Sequence, residues 1–82
     1  MLEGELSFAS VRDWLPRADE LASSGQVDLA RVTRVDSAGA ALLLELSRRA
    51  RRNGRELVFV NAGQPLRSLL EFLQIDDVLK LA

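Results

Sequence analysis

An acid, a hydroxyl and a glycine stand together at Asp36, Ser37 and Gly39, where an apolar, strand-like run gives way to a strongly helical one. Four roles are open to Ser37: a nucleophile, a phosphate acceptor, a contact with a partner, or the cap of a helix. Serine and aspartate are favoured caps because their side-chain oxygens accept hydrogen bonds from free backbone N–H groups, so Ser37 and Asp36 are both candidate caps. A phosphate on Ser37 would also be well placed, because a helix N-terminus stabilises negative charge.

The composition excludes most catalytic uses of this serine. The 82 residues contain no cysteine and no histidine, which removes thiol nucleophiles, a Ser-His-Asp triad, and Cys or His metal ligands. The residues around Ser37 read V-D-S-A-G rather than the G-x-S-x-G of a nucleophile elbow, and the only lysine, Lys80, stands in no phosphate-binding loop. We therefore expect no catalytic residue, no bound metal and no cofactor.

Size and charge indicate one small domain, residues 1–82. Apolar residues make up 48% of the sequence and charged residues 28%, which is far from the composition of a disordered chain. The formal net charge of −1 gives no reason to expect steering toward nucleic acid or an anionic membrane. The apolar run at residues 38–46 is too short to span a bilayer, and the N-terminus lacks the features of a secretory signal. We therefore expect a cytoplasmic protein.

Five arginines cluster near the end of the helix predicted after Ser37: Arg48, Arg49, Arg51, Arg52 and Arg55. Cations suit a helix C-terminus, so a solvated basic helix end is one interpretation. A patch that contacts anionic lipid headgroups, RNA or an acidic partner is the other. No aromatic residues are interleaved with these arginines, which disfavours single-stranded nucleic acid, and we expect no nucleic-acid partner.

Hydrophobic periodicity predicts strands that alternate with helices. Strands are predicted over residues 2–8, 27–32 and 57–60, and helices over residues 11–22, 37–53 and from Pro65 onward. The tail is expected to form a further strand or a helical turn. This β-α-β-α-β-α order predicts a single α/β domain with a small, mostly parallel sheet and helices packed on it.

Two of these helices carry more specific signals. In the first, Ser10 and Asp13 resemble a capping box, the buried face includes Leu15, and Pro16 should kink or restart the helix. In the second, one face is apolar and predicted to be buried, opposite Glu45 and the arginines; its residues are Leu42, Leu43, Leu46 and Ala50.

Taken together, these residues resemble a known family. The strand V-D-L-A-R-V, the step R-V-D-S-A-G, the A-L-L-L of the following helix and the G-E-L near the N-terminus are similar to the core of a STAS domain, the fold of bacterial anti-sigma-factor antagonists. Within that superfamily the chain most resembles the small cytoplasmic STAS subunit, the MlaB type, of the Mla phospholipid ABC transporter of Gram-negative bacteria. The resemblance covers essentially the whole chain and implies a STAS-type fold.

The resemblance implies a non-catalytic module that binds a nucleotide-hydrolysing partner. In the transporter branch the partner is the ATPase of a transporter that maintains outer-membrane lipid asymmetry, and a threonine at the position of Ser37 helps to contact it. In the antagonist branch the partner is a kinase-like anti-sigma factor, which phosphorylates the serine at that position and so breaks the complex. The R-V-T-R-V-D lead-in and the short C-terminal part favour the transporter branch, in which phosphorylation of Ser37 is not expected.

The resemblance also implies where partners bind. The implied partner-binding residues are Asp36, Ser37, Ala38, Gly39, Ala41 and Glu45. In the transporter branch the chain would lie at the inner face of the inner membrane, and it would contact the membrane only indirectly, through the complex.

The start of the chain departs from the family pattern. A STAS domain usually has another strand before the one that contains G-E-L, whereas this chain begins almost at Leu2. The resemblance therefore implies that the first strand of the usual fold is missing or that the start codon is placed too late. A missing strand would leave a sheet edge open, and open edges invite pairing with another chain, so homodimerisation through this edge is a further candidate interaction.

Overall fold

The structure, a computed structural model, describes residues 2–82 and confirms an α/β fold with parallel strands. The elements follow in chain order as β1 (Glu3–Leu6), α1 (Val11–Trp14), a 3-10 turn (Leu15–Arg17), α2 (Ala18–Ser23), β2 (Gln26–Asp28), β3 (Arg31–Val35), α3 (Ser37–Arg52), β4 (Val58–Val60), α4 (Gln64–Phe72) and β5 (Lys80–Leu81). The alternation of strands and helices therefore agrees with the periodicity of the sequence.

The parallel strands are divided between two small sheets. One sheet pairs β1 with β3, and the other has the order β2–β4–β5. The division falls inside the predicted strand 27–32, where a turn separates β2 from β3. In that turn the Asp28 carboxylate accepts a hydrogen bond from the Ala30 N–H at 2.8 Å, and the Val32 N–H donates to the Leu29 carbonyl at 3.1 Å. Local bonding of this kind interrupts a strand because it satisfies backbone groups outside the ladder.

Helix α3 supplies much of the hydrophobic core. The four residues predicted to form its buried face are at most 2% exposed, which confirms that prediction. They pack in one cluster with Leu6 of β1 and Phe59 of β4, both of which are fully buried. Burial of each such leucine or phenylalanine contributes about 1.5–3 kcal/mol, so this cluster is a large part of what stabilises the domain.

The first predicted helix is broken, as Pro16 predicts. Helix α1 ends at Trp14, the proline lies in the 3-10 turn, and α2 begins at Ala18. The predicted capping box is wrong, because the Ser10 hydroxyl makes no cap bond and instead accepts a hydrogen bond from the Ser7 N–H at 2.9 Å. The prediction that Leu15 is buried is also wrong: it is 41% exposed, because the change of helix type at the proline turns it away from the core.

Strand β1 ends at Leu6, before the predicted residue 8. The N–H groups of Ser10 and Val11 both donate to the Ser7 carbonyl, at 3.0 and 2.9 Å, and this turn leads the chain into α1. Phe8 is consequently 85% exposed, although the alternating pattern predicts that it shares a face with Leu6.

The sheet edges bear on the predicted homodimer. The tail forms β5, which is the strand alternative of the sequence prediction, and it pairs with β4. Strand β1 pairs with β3 on one edge, and within residues 2–82 no strand pairs with its other edge. Homodimerisation through that edge stays a prediction.

Helix α3 approaches β1 so closely that only a glycine fits between them. A Cβ atom built on Gly39 would lie 2.0 Å from the Leu6 carbonyl oxygen and 2.9 Å from the Leu6 Cβ. Real Cβ atoms do not tolerate such contacts, and the two nearest opposing atoms, the Leu6 carbonyl oxygen and carbon, are backbone atoms that cannot move aside without shifting the strand. Gly39 therefore sets the depth at which the start of α3 lies on β1.

We expect Gly39→Ala to destabilise the fold by about 2 kcal/mol or more, because separation of α3 from β1 outweighs the roughly 1 kcal/mol gain in helix propensity. The melting temperature, followed by circular dichroism, should fall by roughly 10 °C. Gly63→Ala is the control, because a Cβ there meets only the Pro65 Cδ at 3.7 Å. It should lower the melting temperature by less than about 5 °C. Equal melting temperatures for the two variants would contradict the close contact at Gly39.

Candidate functional site

Strands β1 and β3 bring two connecting segments together at one end of their sheet, because the carboxyl ends of parallel strands lie on the same side. Leu6 and Val35, the last residues of the two strands, are register partners. The Asp36 N–H then donates to the Leu6 carbonyl at 3.1 Å, which extends the pairing by one bond. The loop after β1 therefore lies beside the N-terminus of α3.

Asp36 joins this loop to α3. Its Oδ1 accepts a hydrogen bond from the Gly39 N–H at 3.0 Å, and its Oδ2 accepts one from the Phe8 N–H at 3.0 Å. Asp36 is thus the N-cap, and Ser37 is the first residue of the helix. Of the two candidate caps in the sequence, the structure selects Asp36, because its extended backbone directs the side chain toward the third N–H of the helix.

The same two donors keep the Asp36 carboxylate ionised. The pKa of Asp36 lies below its ordinary value. The hydrogen bond from the Gly39 N–H is the largest cause of this lowering, and the bond from the Phe8 N–H is the next largest. Hydrogen bonds to the charged form favour that form. Because both oxygens accept backbone donors, Asp36 positions backbone and is poorly placed to take a proton from Ser37.

The start of α3 presents a small, smooth surface. Ser37 and Ala41 are exposed and lie one helical turn apart, and Ala38 beside them is half-buried. We call these three residues the α3 surface. Gly39 is buried against β1, so it shapes this surface from beneath and does not form part of it.

Glu45 lies one helical turn beyond Ala41, and two arginines of the same helix neutralise its charge. It is half-buried, and it accepts hydrogen bonds from Arg49 at 2.7 Å and from Arg48. These bonds lower the pKa of Glu45 to about 2, and the bond from Arg49 contributes most, followed by the bond from Arg48. Arg49 also pairs with Asp19 of α2 at 3.0 Å, so this group of charges links α3 to α2.

An apolar groove adjoins the α3 surface, and the sequence prediction missed it. Its volume is about 460 Å³, and its lining residues are Phe8, Ala9, Val11, Arg12, Leu15 and Ala38. We call it the Phe8 groove. A signal was present in the sequence, because Phe8 and Ser37 both follow strands, and the carboxyl ends of parallel strands lie at the same end of a sheet. The prediction that the strand continues to residue 8 concealed it.

The arginines at the opposite end of α3 have two kinds of partner. Arg48 and Arg49 pair with Glu45, as described above. Arg51 donates to the Val78 carbonyl at 2.9 Å, and Arg55 donates to the Ser23 carbonyl at 3.0 Å. These two bonds tie Arg51 and Arg55 to neighbouring segments of the chain.

The described residues lack the side-chain grouping of a metal site and the kind of helix that crosses a membrane. Across residues 2–82, no three histidine, cysteine, aspartate or glutamate side chains gather closely enough to hold a metal ion. Over the same residues, no helix has both the length and the apolar character that a membrane crossing requires.

The role of Asp36 predicts a pH-dependent difference between variants. Asp36→Asn should lower the melting temperature at pH 7, because a neutral amide offers only one acceptor where the carboxylate offers two. The folded-state pKa of Asp36 is lowered, so its ionised form stabilises the fold above about pH 4, and this stability is lost as the pH falls through the lowered pKa. The difference in melting temperature between wild type and Asp36→Asn should therefore narrow on acidification.

Thermal unfolding at a series of pH values from 7 downward measures this difference. Asp77→Asn is the control, because Asp77 is exposed and none of the hydrogen bonds described within residues 2–82 involves its carboxylate. That variant should match the wild type at every pH. A constant difference between wild type and Asp36→Asn across the series would contradict the role given to the ionised carboxylate.

Comparisons with known proteins identify the family and the fold of the chain. The model of the STAS domain family described as MlaB matches residues 1–81. A search of curated proteins finds no significant match. Among solved structures, a candidate anti-sigma factor antagonist from Thermotoga maritima is similar with a TM-score of 0.82 at 17% identity. The anti-sigma factor antagonist SpoIIAA in its unphosphorylated form has a TM-score of 0.68 at 19% identity.

Both structural alignments cover 99% of this chain and 74% of the other chain. At such low identity, the two structures show a shared fold and nothing finer. The family model covers all but the last residue of the sequence. The chain therefore belongs to the STAS domain family of the MlaB type.

Proposed function

We propose that this chain is a non-catalytic STAS subunit that binds and supports the cytoplasmic ATPase of a phospholipid ABC transporter, one that maintains outer-membrane lipid asymmetry. The match to the MlaB-type family model over residues 1–81 is the observation that carries this proposal. The subunit would lie in the cytoplasm, at the inner face of the inner membrane, and would reach the membrane through the complex.

The α3 surface is the part of the chain that suits this role. Ser37 and Ala41 are exposed, and their side chains are short, so a partner backbone can approach the helix closely. The cap at Asp36 and the contact of Gly39 with Leu6 hold this end of α3 in place. A surface that is fixed before binding loses little conformational entropy on association, which favours affinity.

A second candidate function is an anti-sigma-factor antagonist switched by phosphorylation of Ser37. The observation in its favour is that Ser37 is exposed at the first position of α3, where a modifying enzyme can reach it. The similarity to two antagonist structures supports the fold that this function needs. A phosphate would add a charge of about −2 beside the ionised Asp36. The added charge would repel an acidic partner, and the added bulk would prevent a partner from approaching the helix closely.

Substitution within the α3 surface tests the proposed ATPase contact. Ala41→Arg should weaken binding to the purified cognate ATPase by roughly tenfold or more, because a long charged side chain replaces a methyl group where the two proteins meet. Arginine is a good helix former, so α3 should remain intact. Ser68→Arg on α4 is the matched control, because it adds the same charge at another exposed helical position.

Binding is measured by isothermal titration calorimetry, and the control should match the wild type within about twofold. Equal affinities for Ala41→Arg and wild type would remove the α3 surface from the interface. A wild-type chain that does not bind the ATPase would reject the transporter role itself.

The phosphorylation state of Ser37 separates the two candidate functions. If the transporter function is correct, intact-mass and peptide mass spectrometry of protein from growing and starved cells should find Ser37 unmodified. Phosphate on Ser37 that disappears when a kinase-like regulator is deleted would support the antagonist function instead.

A further inference from the structure

We propose that the Phe8 groove is the second half of the partner interface, and that it receives an apolar side chain of the ATPase with an aspartate or glutamate beside it. This inference rests on the proposed function, because it identifies the chemistry of the partner at the site that adjoins the α3 surface. In this arrangement Phe8 is the aromatic anchor, and Arg12 is the group that recognises the acidic residue.

The exposure of Phe8 is the first observation. Phenylalanine is usually buried, yet here 85% of this residue is exposed, next to a groove that also exposes Leu15. Aromatic residues that project beside a concave apolar surface are typical of the positions that dominate the affinity of an interface. A partner that covered this groove would remove both apolar side chains from water.

The rigidity of the loop is the second observation. The Phe8 N–H is bonded to Asp36, and the Ser7 N–H donates to the Ser10 hydroxyl at 2.9 Å. The Val11 N–H donates to the Ser7 carbonyl at 2.9 Å. Phe8 is therefore held outward by a bonded turn, and a partner would meet an anchor that is already in position.

The charge of the groove is the third observation, and it specifies the partner. Arg12 is the one charged residue among the six that line the groove. Among residues 2–82, no carboxylate oxygen lies within 4.0 Å of the Arg12 guanidinium, whereas Arg48 and Arg49 are paired with Glu45. A guanidinium at an apolar contact is best satisfied by a carboxylate, which it binds through two parallel hydrogen bonds.

The continuity of the two surfaces is the fourth observation. Ala38 lines the groove and also belongs to the α3 surface, so no gap separates them. A partner that contacts Ser37 and Ala41 would therefore also reach the adjoining groove. One partner segment with an apolar and an acidic residue therefore satisfies both halves of the interface.

Two exposed phenylalanines give a matched experiment. Phe8→Ala should weaken binding to the purified cognate ATPase by roughly tenfold or more. Phe72→Ala is the control, because Phe72 is 82% exposed but lies at the end of α4, outside the Phe8 groove. It should leave the affinity within about twofold of wild type.

The charge is tested separately with Arg12→Leu, which keeps an apolar stem and removes the guanidinium. Its affinity should fall by roughly fivefold or more, and the remaining binding should depend less on salt than that of wild type. Arg52→Leu, which removes an exposed arginine from the far end of α3, is the control and should change neither quantity.

The outcomes distinguish this inference from the proposed function. If Ala41→Arg weakens binding but Phe8→Ala and Arg12→Leu bind within about twofold of wild type, the groove is not part of the interface, and the proposed function stands. If wild type does not bind the ATPase, both proposals fail. If Phe8→Ala is unfolded by circular dichroism, the affinity and salt dependence of Arg12→Leu decide the question.

Discussion

The carboxylate of Asp36 is the interaction on which the candidate site depends. One oxygen caps α3, and the other holds the loop after β1 through the Phe8 N–H. Because a single side chain makes both bonds, the start of the helix and the loop cannot shift independently. The α3 surface and the Phe8 groove are consequently parts of one fixed shape. The low pKa of Asp36 keeps this arrangement charged, and therefore intact, well below neutral pH.

Packing beneath the site reinforces the same geometry. Gly39 lets α3 lie directly on the Leu6 backbone, and the buried leucines of α3 belong to the same core cluster as Leu6 and Phe59. Further along the helix, Glu45 and Arg49 connect α3 to Asp19 of α2. The exposed side of α3 near its start is thus left to short side chains, while the buried side and the far end carry the stabilising contacts. Recognition at such a surface depends on shape and on a few anchors.

The sequence predicts the parts of the fold that depend on local periodicity. The 3.6-residue spacing of leucines locates the buried face of α3, and the missing N–H of Pro16 predicts the break in the first helix, because both effects act within one or two turns. The division of the sheet was not predictable in this way. It depends on the Asp28 carboxylate bonding to the Ala30 N–H, which competes with strand pairing over a few residues and leaves no periodic signal.

The same distinction applies to the site. Helix-capping preference limits the cap to Asp36 or Ser37, but the choice between them depends on backbone conformation at residue 36. The location of Asp36 and Ser37 at a strand end follows from the α/β pattern. The contribution of Phe8 does not, because its bond to Asp36 joins residues 28 positions apart, and only the folded chain brings them together. The proposed interface therefore combines a predictable helix start with a loop that the sequence alone assigns to the wrong element.

Hydrogen–deuterium exchange with and without the purified cognate ATPase tests the central claim most directly. The claim is that one end of the β1–β3 sheet, formed by the loop after β1 and the start of α3, is the surface that a partner covers. Peptides from residues 7–15 and 37–45 should both become more protected in the complex, and peptides from residues 64–74 should exchange at an unchanged rate. Protection confined to residues 64–82, with residues 7–15 and 37–45 unchanged, would contradict the account.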